Sequence, residues 1–160
     1  MKCPKDIIFW SCNFDRVDGQ SAVSALVHKT FQDRIVLSLF YSVGLSGVSR
    51  WIFNCIALYF WVTFLRYQTA LVYIVISRSP LGFLRDFPVL LLAFTGRKVV
   101  CHAHGSDIIA LCNNRFLGTL AQFLFKKCII IVPSMHLLGP LKEFGLSELV
   151  VIENPFLTGF

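Results

Sequence analysis

The sequence predicts one α/β domain built on a parallel sheet with helices on both faces, and three observations carry that prediction. Short apolar runs bounded by polar turns alternate with longer amphipathic stretches, the rhythm of parallel strands joined by crossover helices. The runs are nearly continuous in β-branched and aromatic residues, which suits strands buried on both faces, whereas an antiparallel sheet would alternate apolar with polar. At 160 residues the chain can build one buried core and has little room for a second.

The elements follow in order. Residues 7–12 form the first apolar run, and 20–32 the clearest helix, with Val23, Leu26, Val27, Thr30 and Phe31 spaced as one apolar stripe that should face the core. Residues 35–41 give the second strand. The uncharged segment 51–65, flanked by Arg50 and Arg66, is shorter than the roughly 20 apolar residues of a spanning helix and reads as a core or interfacial helix. Residues 70–77 form the third strand, and the following SRSPLGFLRD reads as a solvated turn that could also contact a ligand. The fourth strand is 98–102. A helix over 115–127 should turn Phe116, Leu120, Phe123 and Leu124 inward, with two lysines at its dipole-negative end. After a fifth strand at 128–133, Ser134 offers an N-cap to a helix that Pro140 should kink or divide and Gly145 should cap; 149–152 is the sixth strand.

A hydrophobic content of 56% and a mean hydropathy of +0.68 require that both sheet faces be covered or that the chain touch lipid. A formal charge of +6 favours anionic partners such as phosphate groups or the inner leaflet of a membrane. Cys3, Cys12, Cys55, Cys101, Cys112 and Cys128 never form a CxxC pair, and several sit in apolar runs, as reduced thiols do. The N-terminal apolar stretch is too short for a signal peptide and is broken by Asn13, Asp15 and Arg16. A cytoplasmic protein is expected, peripheral at most on the inner face of the membrane.

Chemistry concentrates in KVVCHAHGSD, residues 98–107. The strand runs out at His102, and His104, Gly105, Ser106 and Asp107 form the loop at the edge where open α/β sheets keep their ligands. Either histidine can hydrogen-bond a sugar hydroxyl or a phosphate, and Gly105 lets a ligand come close to the backbone. The plainer alternative is a histidine that caps the loop. A hydrolase oxyanion hole would need a GxSxG elbow, and none follows Gly105. Zinc held by HxH would need more ligands than the remaining His28 and His136 supply, so no metal is expected. Cysteine nucleophile chemistry would use Cys101 or Cys112, yet Cys101 is a strand residue expected to face the core. At the end of the first strand, Gly19 and the backbone N–H groups of Gln20 and Ser21 open a helix and could face an anion, although DGQS is neither a GxGxxG fingerprint nor a P-loop and a plain turn is the alternative.

Three stretches together resemble the N-terminal, Rossmann-like domain of a GT-B glycosyltransferase, of the large retaining family 4-like group typified by bacterial cell-envelope sugar transferases. They are DGQS at 18–21, KVVCHAHGSD, and IIIVPSMHLLGPLKEFGLSELVVIENPF, which resembles the strand–helix–strand that precedes the crossover into the second domain. The resemblance implies that residues 1–160 are the acceptor-side half of the fold and that the donor-binding C-terminal domain is absent from the chain. It implies a sugar passed from a nucleotide-sugar donor to a cell-envelope glycan or lipid-linked acceptor, with no cofactor and no nucleic-acid partner. Gly19 would approach the donor diphosphate, although the family's loop usually carries paired glycines and Asp18 stands at the first place here. His102 would lie by the donor sugar as the catalytic-site histidine, with Gln20, Ser21, His104, Gly105 and Asp107 lining the donor side and Ser79 and Arg85 the acceptor side. A second GT-B domain or partner chain would complete the enzyme, and the isolated chain is expected to be inactive. Two other readings stay open: a non-catalytic binding or scaffold domain of the same fold, and a small membrane-associated protein.

Overall fold

The computed structural model describes residues 6–12, 14, 19–41, 45–64, 70–77 and 79–153. Of the loop expected at 13–19 between the first strand and the first helix, residues 13 and 15–18 lie outside the described residues, as do Cys3, Leu65, Arg66, Arg78 and the Asn154-Pro155 step.

Six strands form one all-parallel sheet: β1 (Ile7–Cys12), β2 (Ile35–Tyr41), β3 (Leu71–Val75), β4 (Val99–His102), β5 (Ile129–Val132) and β6 (Leu149–Val151). Their order is β2-β1-β3-β4-β5-β6, so the direction of strand addition reverses once, between β1 and β3. This is a Rossmann-like α/β architecture, as the apolar runs predict, and each run falls on a strand within two residues of its expected bounds.

The two faces of the sheet are covered unequally. Ile8, Trp10, Val72, Ile74, Val99, Cys101 and Ile130 point to one face and are wholly buried there under α2 (Leu45–Phe64), α3 (Pro80–Leu90), α4 (Asp107–Cys112), α5 (Gly118–Phe125) and α6 (Leu138–Glu143). The opposite face, with Phe9, Tyr73, Val75 and Val100, is covered from the described part of the chain by α1 (Gly19–Thr30). There His28 sits edge-on to Phe9 at 5.1 Å between ring centres and is hydrogen-bonded through Nε2 to Ser38 Oγ at 2.9 Å. These contacts hold α1 over β1 and β2, to one side of the sheet's midline.

Several elements differ from expectation for local reasons. SRSPLGFLRD is not a solvated turn: Ser79 has an extended backbone, its Oγ accepts from the Gly82 N–H at 3.1 Å, and Pro80 takes the first helical position, so α3 starts there. Asp107 opens α4 instead of ending a loop. Phe116 and Phe123 point outward, 87% and 57% exposed, because Asn114 Oδ1 accepts from the N–H groups of Phe116 and Leu117 and delays the helix to Gly118. The buried face of α5 is then Gly118, Ala121, Leu124 and Phe125. Downstream, Ser134 caps a 3-10 turn at Met135–Leu137 that passes into α6; the division falls before Leu138 and not at Pro140, which sits in the first turn of α6, and Gly145 adopts φ +76 beyond the helix end.

Candidate functional site

Because α1 sits to one side, an apolar groove of about 450 Å³ opens between it and the strands β3, β4 and β5. The expected core stripe of the first helix forms its wall: Val23 is buried, but Leu26 and Phe31 remain 43% and 40% exposed toward the open groove. Along the floor runs a row of rings. Phe9 on β1 stacks on Tyr73 of β3 at 5.3 Å and 5°, Tyr73 meets His102 of β4 edge-on at 5.9 Å, and His102 stacks on His104 at 4.8 Å and 19°. The row leads to the carboxyl-terminal edge of the sheet, where His102, His104, Pro133 and Glu153 form the polar end of the groove.

His102 is 7% exposed, and burial pulls its pKa down to about 4, so the ring is neutral near pH 7. Its Nδ1 is hydrogen-bonded to the Tyr73 hydroxyl, which burial keeps protonated. When that hydroxyl donates to Nδ1, the ring proton resides on Nε2, and His102 becomes a fixed, uncharged donor in the groove lining. A neutral imidazole with a set tautomer can position a hydroxyl or phosphate oxygen; it does not supply a proton as an acid.

The other expected site residues are placed as follows. Gly19 is the first residue of α1, with Gln20 after it; their side chains lie outside the described ones. Ser21 is buried, 2% exposed, so its hydroxyl is not offered to solvent. Gly105 and Asp107 flank Ser106 in the turn that opens α4, half-buried beside the histidines in sequence. Ser79 and Arg85 stand on α3, which packs on the other face of the sheet from His102. The structure therefore brings His102 and His104 together and keeps Arg85 apart from them.

Arg85 belongs to a second polar constellation, one that sequence reasoning missed. Asp86 is fully buried, and its carboxylate accepts from the Trp10 indole N–H at 3.2 Å, the Ser77 backbone N–H at 3.0 Å, and Arg85 Nε and Nη2 at 3.0 and 3.2 Å. The Arg85 guanidinium lies 3.3 Å above the centre of the Tyr41 ring. Burial raises the pKa of Asp86 against the opposing pull of Arg85 and the two N–H donors. The cluster ties β1, β2, the end of β3 and α3 into one unit around the strand reversal. A lone carboxylate in the apolar stretch LRDFPVLLL was its signal, since a buried acid must be paired.

No family model matches this chain, and no curated protein matches it.

Proposed function

We propose that this domain is the acceptor-side half of a two-domain GT-B glycosyltransferase, which passes a sugar from a nucleotide donor to a cell-envelope glycan or lipid-linked acceptor at the inner face of the membrane. The observation that carries the reading is the neutral, Tyr73-bonded His102 at the carboxyl-terminal edge of a Rossmann-like sheet, at the polar end of a groove floored by rings. That edge is where open α/β sheets hold ligands. An uncharged Nε2–H donor suits a sugar hydroxyl, and flat rings suit the apolar face of a pyranose. The first N–H groups of α1, from Gly19 onward, open toward the same edge and suit the donor phosphates. The reaction needs a second domain or chain to close over the donor. In this role His102 and His104 orient the sugar, while the Asp86 cluster holds α3, with Ser79 and Arg85, on the acceptor side.

Saturation-transfer NMR on the 160-residue chain with a panel of nucleotide sugars tests the proposal. Weak binding is expected, with saturation reaching the sugar-ring protons, and His102→Ala should abolish that transfer while the fold is retained. No transfer from any nucleotide sugar, or transfer unchanged in His102→Ala, overturns the reading. Turnover at a normal enzymatic rate by this chain alone overturns the two-domain requirement.

A further inference from the structure

A mean hydropathy of +0.68 leaves much apolar surface to cover, and among the described residues no helix is long and apolar enough to cross a membrane. Part of that surface stays open as the groove beside α1. The transferase reading uses its ring-lined end at His102 and His104. The remainder runs back along α1 to the opposite edge of the sheet.

In the chain α1 joins the end of β1 to the start of β2, two parallel strands, so it runs antiparallel to them. The groove wall therefore descends from Val23, near the carboxyl-terminal edge, to Phe31 and Arg34 at the amino-terminal edge. Val23 to Phe31 is a rise of about 12 Å along the helix. On the floor, Leu71 begins β3 and Val75 pairs with His102, a run of about 13 Å along the strand. The two lengths agree. Between the ends the lining is apolar, with Ile7, Leu26, Val27, Val100 and Ile131. The Thr30 hydroxyl is turned to the Leu26 carbonyl at 2.8 Å, and the Tyr73 hydroxyl to His102.

This trough is too slim for a protein element. A helix is about 10–12 Å across with its side chains, so a length of about 13 Å fills roughly 1,000 Å³ or more. The groove holds about 450 Å³. An extended peptide or an oligosaccharide would leave amide or hydroxyl groups against apolar walls with nothing to bond, at the cost of buried unpaired polar groups. An unbranched hydrocarbon chain meets neither obstacle, and the volume is that of a small-molecule site.

Charge fixes the direction of such a ligand. Among the described lining residues, Arg34 and Glu153 are the charged ones, and they stand at opposite ends. The Arg34 guanidinium is exposed at the mouth and makes no hydrogen bond or ion pair with a described residue. Asp33, its neighbour in the chain, and Asp6, before β1, do not line the groove. At the other end Glu153 disfavours an anion, and His102 is neutral near pH 7. A molecule with an anionic head and a hydrocarbon tail therefore lies with its head at Arg34.

We propose that this groove binds a long-chain carboxylate of the fatty-acid class, with its carboxylate on the Arg34 guanidinium and its alkyl chain along the trough toward Tyr73. The site goes beyond the transferase reading and does not depend on it, since it takes neither sugar nor phosphate.

Isothermal titration calorimetry of the full 160-residue chain with octanoate, decanoate and dodecanoate, each below its critical micelle concentration, tests the proposal. One site per chain is expected, with affinity rising about tenfold for each pair of methylenes added until the trough is full. Leu26→Asp and, separately, Phe31→Ser should each weaken decanoate binding about tenfold or more. Both should keep the circular dichroism spectrum, since the two side chains are 43% and 40% exposed. Arg34→Gln should weaken decanoate about fivefold and leave decanol unchanged. Absent binding of all the acids, equal affinity for all of them, or an Arg34→Gln effect that does not separate decanoate from decanol overturns the inference. Binding that appears only once residues 154–160 are removed also overturns it, because that segment would then be the occupant. So does a dimer, seen by light scattering, that Leu26→Asp splits, because a second copy would then fill the groove. No sugar enters this titration and no fatty acid enters the NMR assay, so either reading can fail alone.

Discussion

Acidification should unfold this protein through His102, and the size of the effect follows from its burial. The folded pKa of about 4 lies below the ordinary histidine value of 6.5, so the unfolded chain binds the proton first as pH falls. The stabilisation is therefore fully present above pH 6.5 and is lost as pH falls through that value toward 4. A separation of about 2.5 pH units corresponds to about 3 kcal/mol in full, and about 2 kcal/mol of it is lost by about pH 5. His28, also lowered by burial, acts in the same direction, and Asp86, raised by burial, acts in the opposite one. Comparing the wild type with His102→Gln removes both contributions, because glutamine can still accept from Tyr73 but does not titrate. Urea unfolding followed by tryptophan fluorescence, with a slope of about 2 kcal/mol per molar, should show the wild-type midpoint falling about 1 M further than the variant's between about pH 8 and pH 5. A midpoint difference that stays constant across that range would refute a neutral, buried His102.

Two further perturbations probe the parts that hold the site in place. Asp86→Ala leaves the Trp10 indole and the Ser77 amide without their acceptor and takes the counter-ion from Arg85; the expected loss is about 3–5 kcal/mol, read as a drop of about 2 M in the urea midpoint. A drop below about 0.5 M would mean that the carboxylate does not organise the cluster. Gly118→Ala would put a methyl group 2.3 Å from the Cys112 carbonyl oxygen, a backbone atom that cannot rotate away, so α4 and α5 must separate. A cost of about 2 kcal/mol lowers the melting temperature by about 6 °C, measured by circular dichroism, and an unchanged melting temperature would place the two helices farther apart than described.

The strands were legible because buried parallel strands have a signature that survives without context: short, continuous, β-branched and aromatic, as in IIFWSC and IIIV. The same property hid which face of the sheet would be covered, since a strand apolar on both sides says nothing about where helices land. The first helix illustrates the consequence. Its stripe from Val23 to Phe31 was correctly apolar, yet it faces a groove, because the His28 contacts with Phe9 and Ser38 draw α1 toward β2 and come from long-range pairing. The start of α3 was written in Ser79 and Pro80 as a cap and a first-turn proline, but Asp86 on its buried side broke the apolar pattern that would have extended the helix. Phe116 and Phe123 were apolar at helical spacing and still point outward, since the Asn114 cap resets where the helix begins.

The histidine pair was legible as a position and not as a state. Strand-end location follows from local sequence, whereas neutrality follows from burial and the hydrogen bond at Nδ1 from Tyr73, a partner 29 residues away that only the β3–β4 pairing delivers. The strand order reverses between β1 and β3, and ligand crevices of open sheets form at such a reversal, yet His102 stands one strand beyond it. The ring row bridges that offset: Phe9 belongs to β1 and Tyr73 to β3, so the two strands that flank the reversal hold the face on which His102 rests. On the opposite face Asp86 ties the same two strands through Trp10 and Ser77. The edge carrying His102 is thus braced from both sides, by Phe9 and Tyr73 along the groove floor and by the Asp86 cluster on the opposite face, and this bracing lets a buried, uncharged imidazole keep one orientation at an otherwise apolar groove.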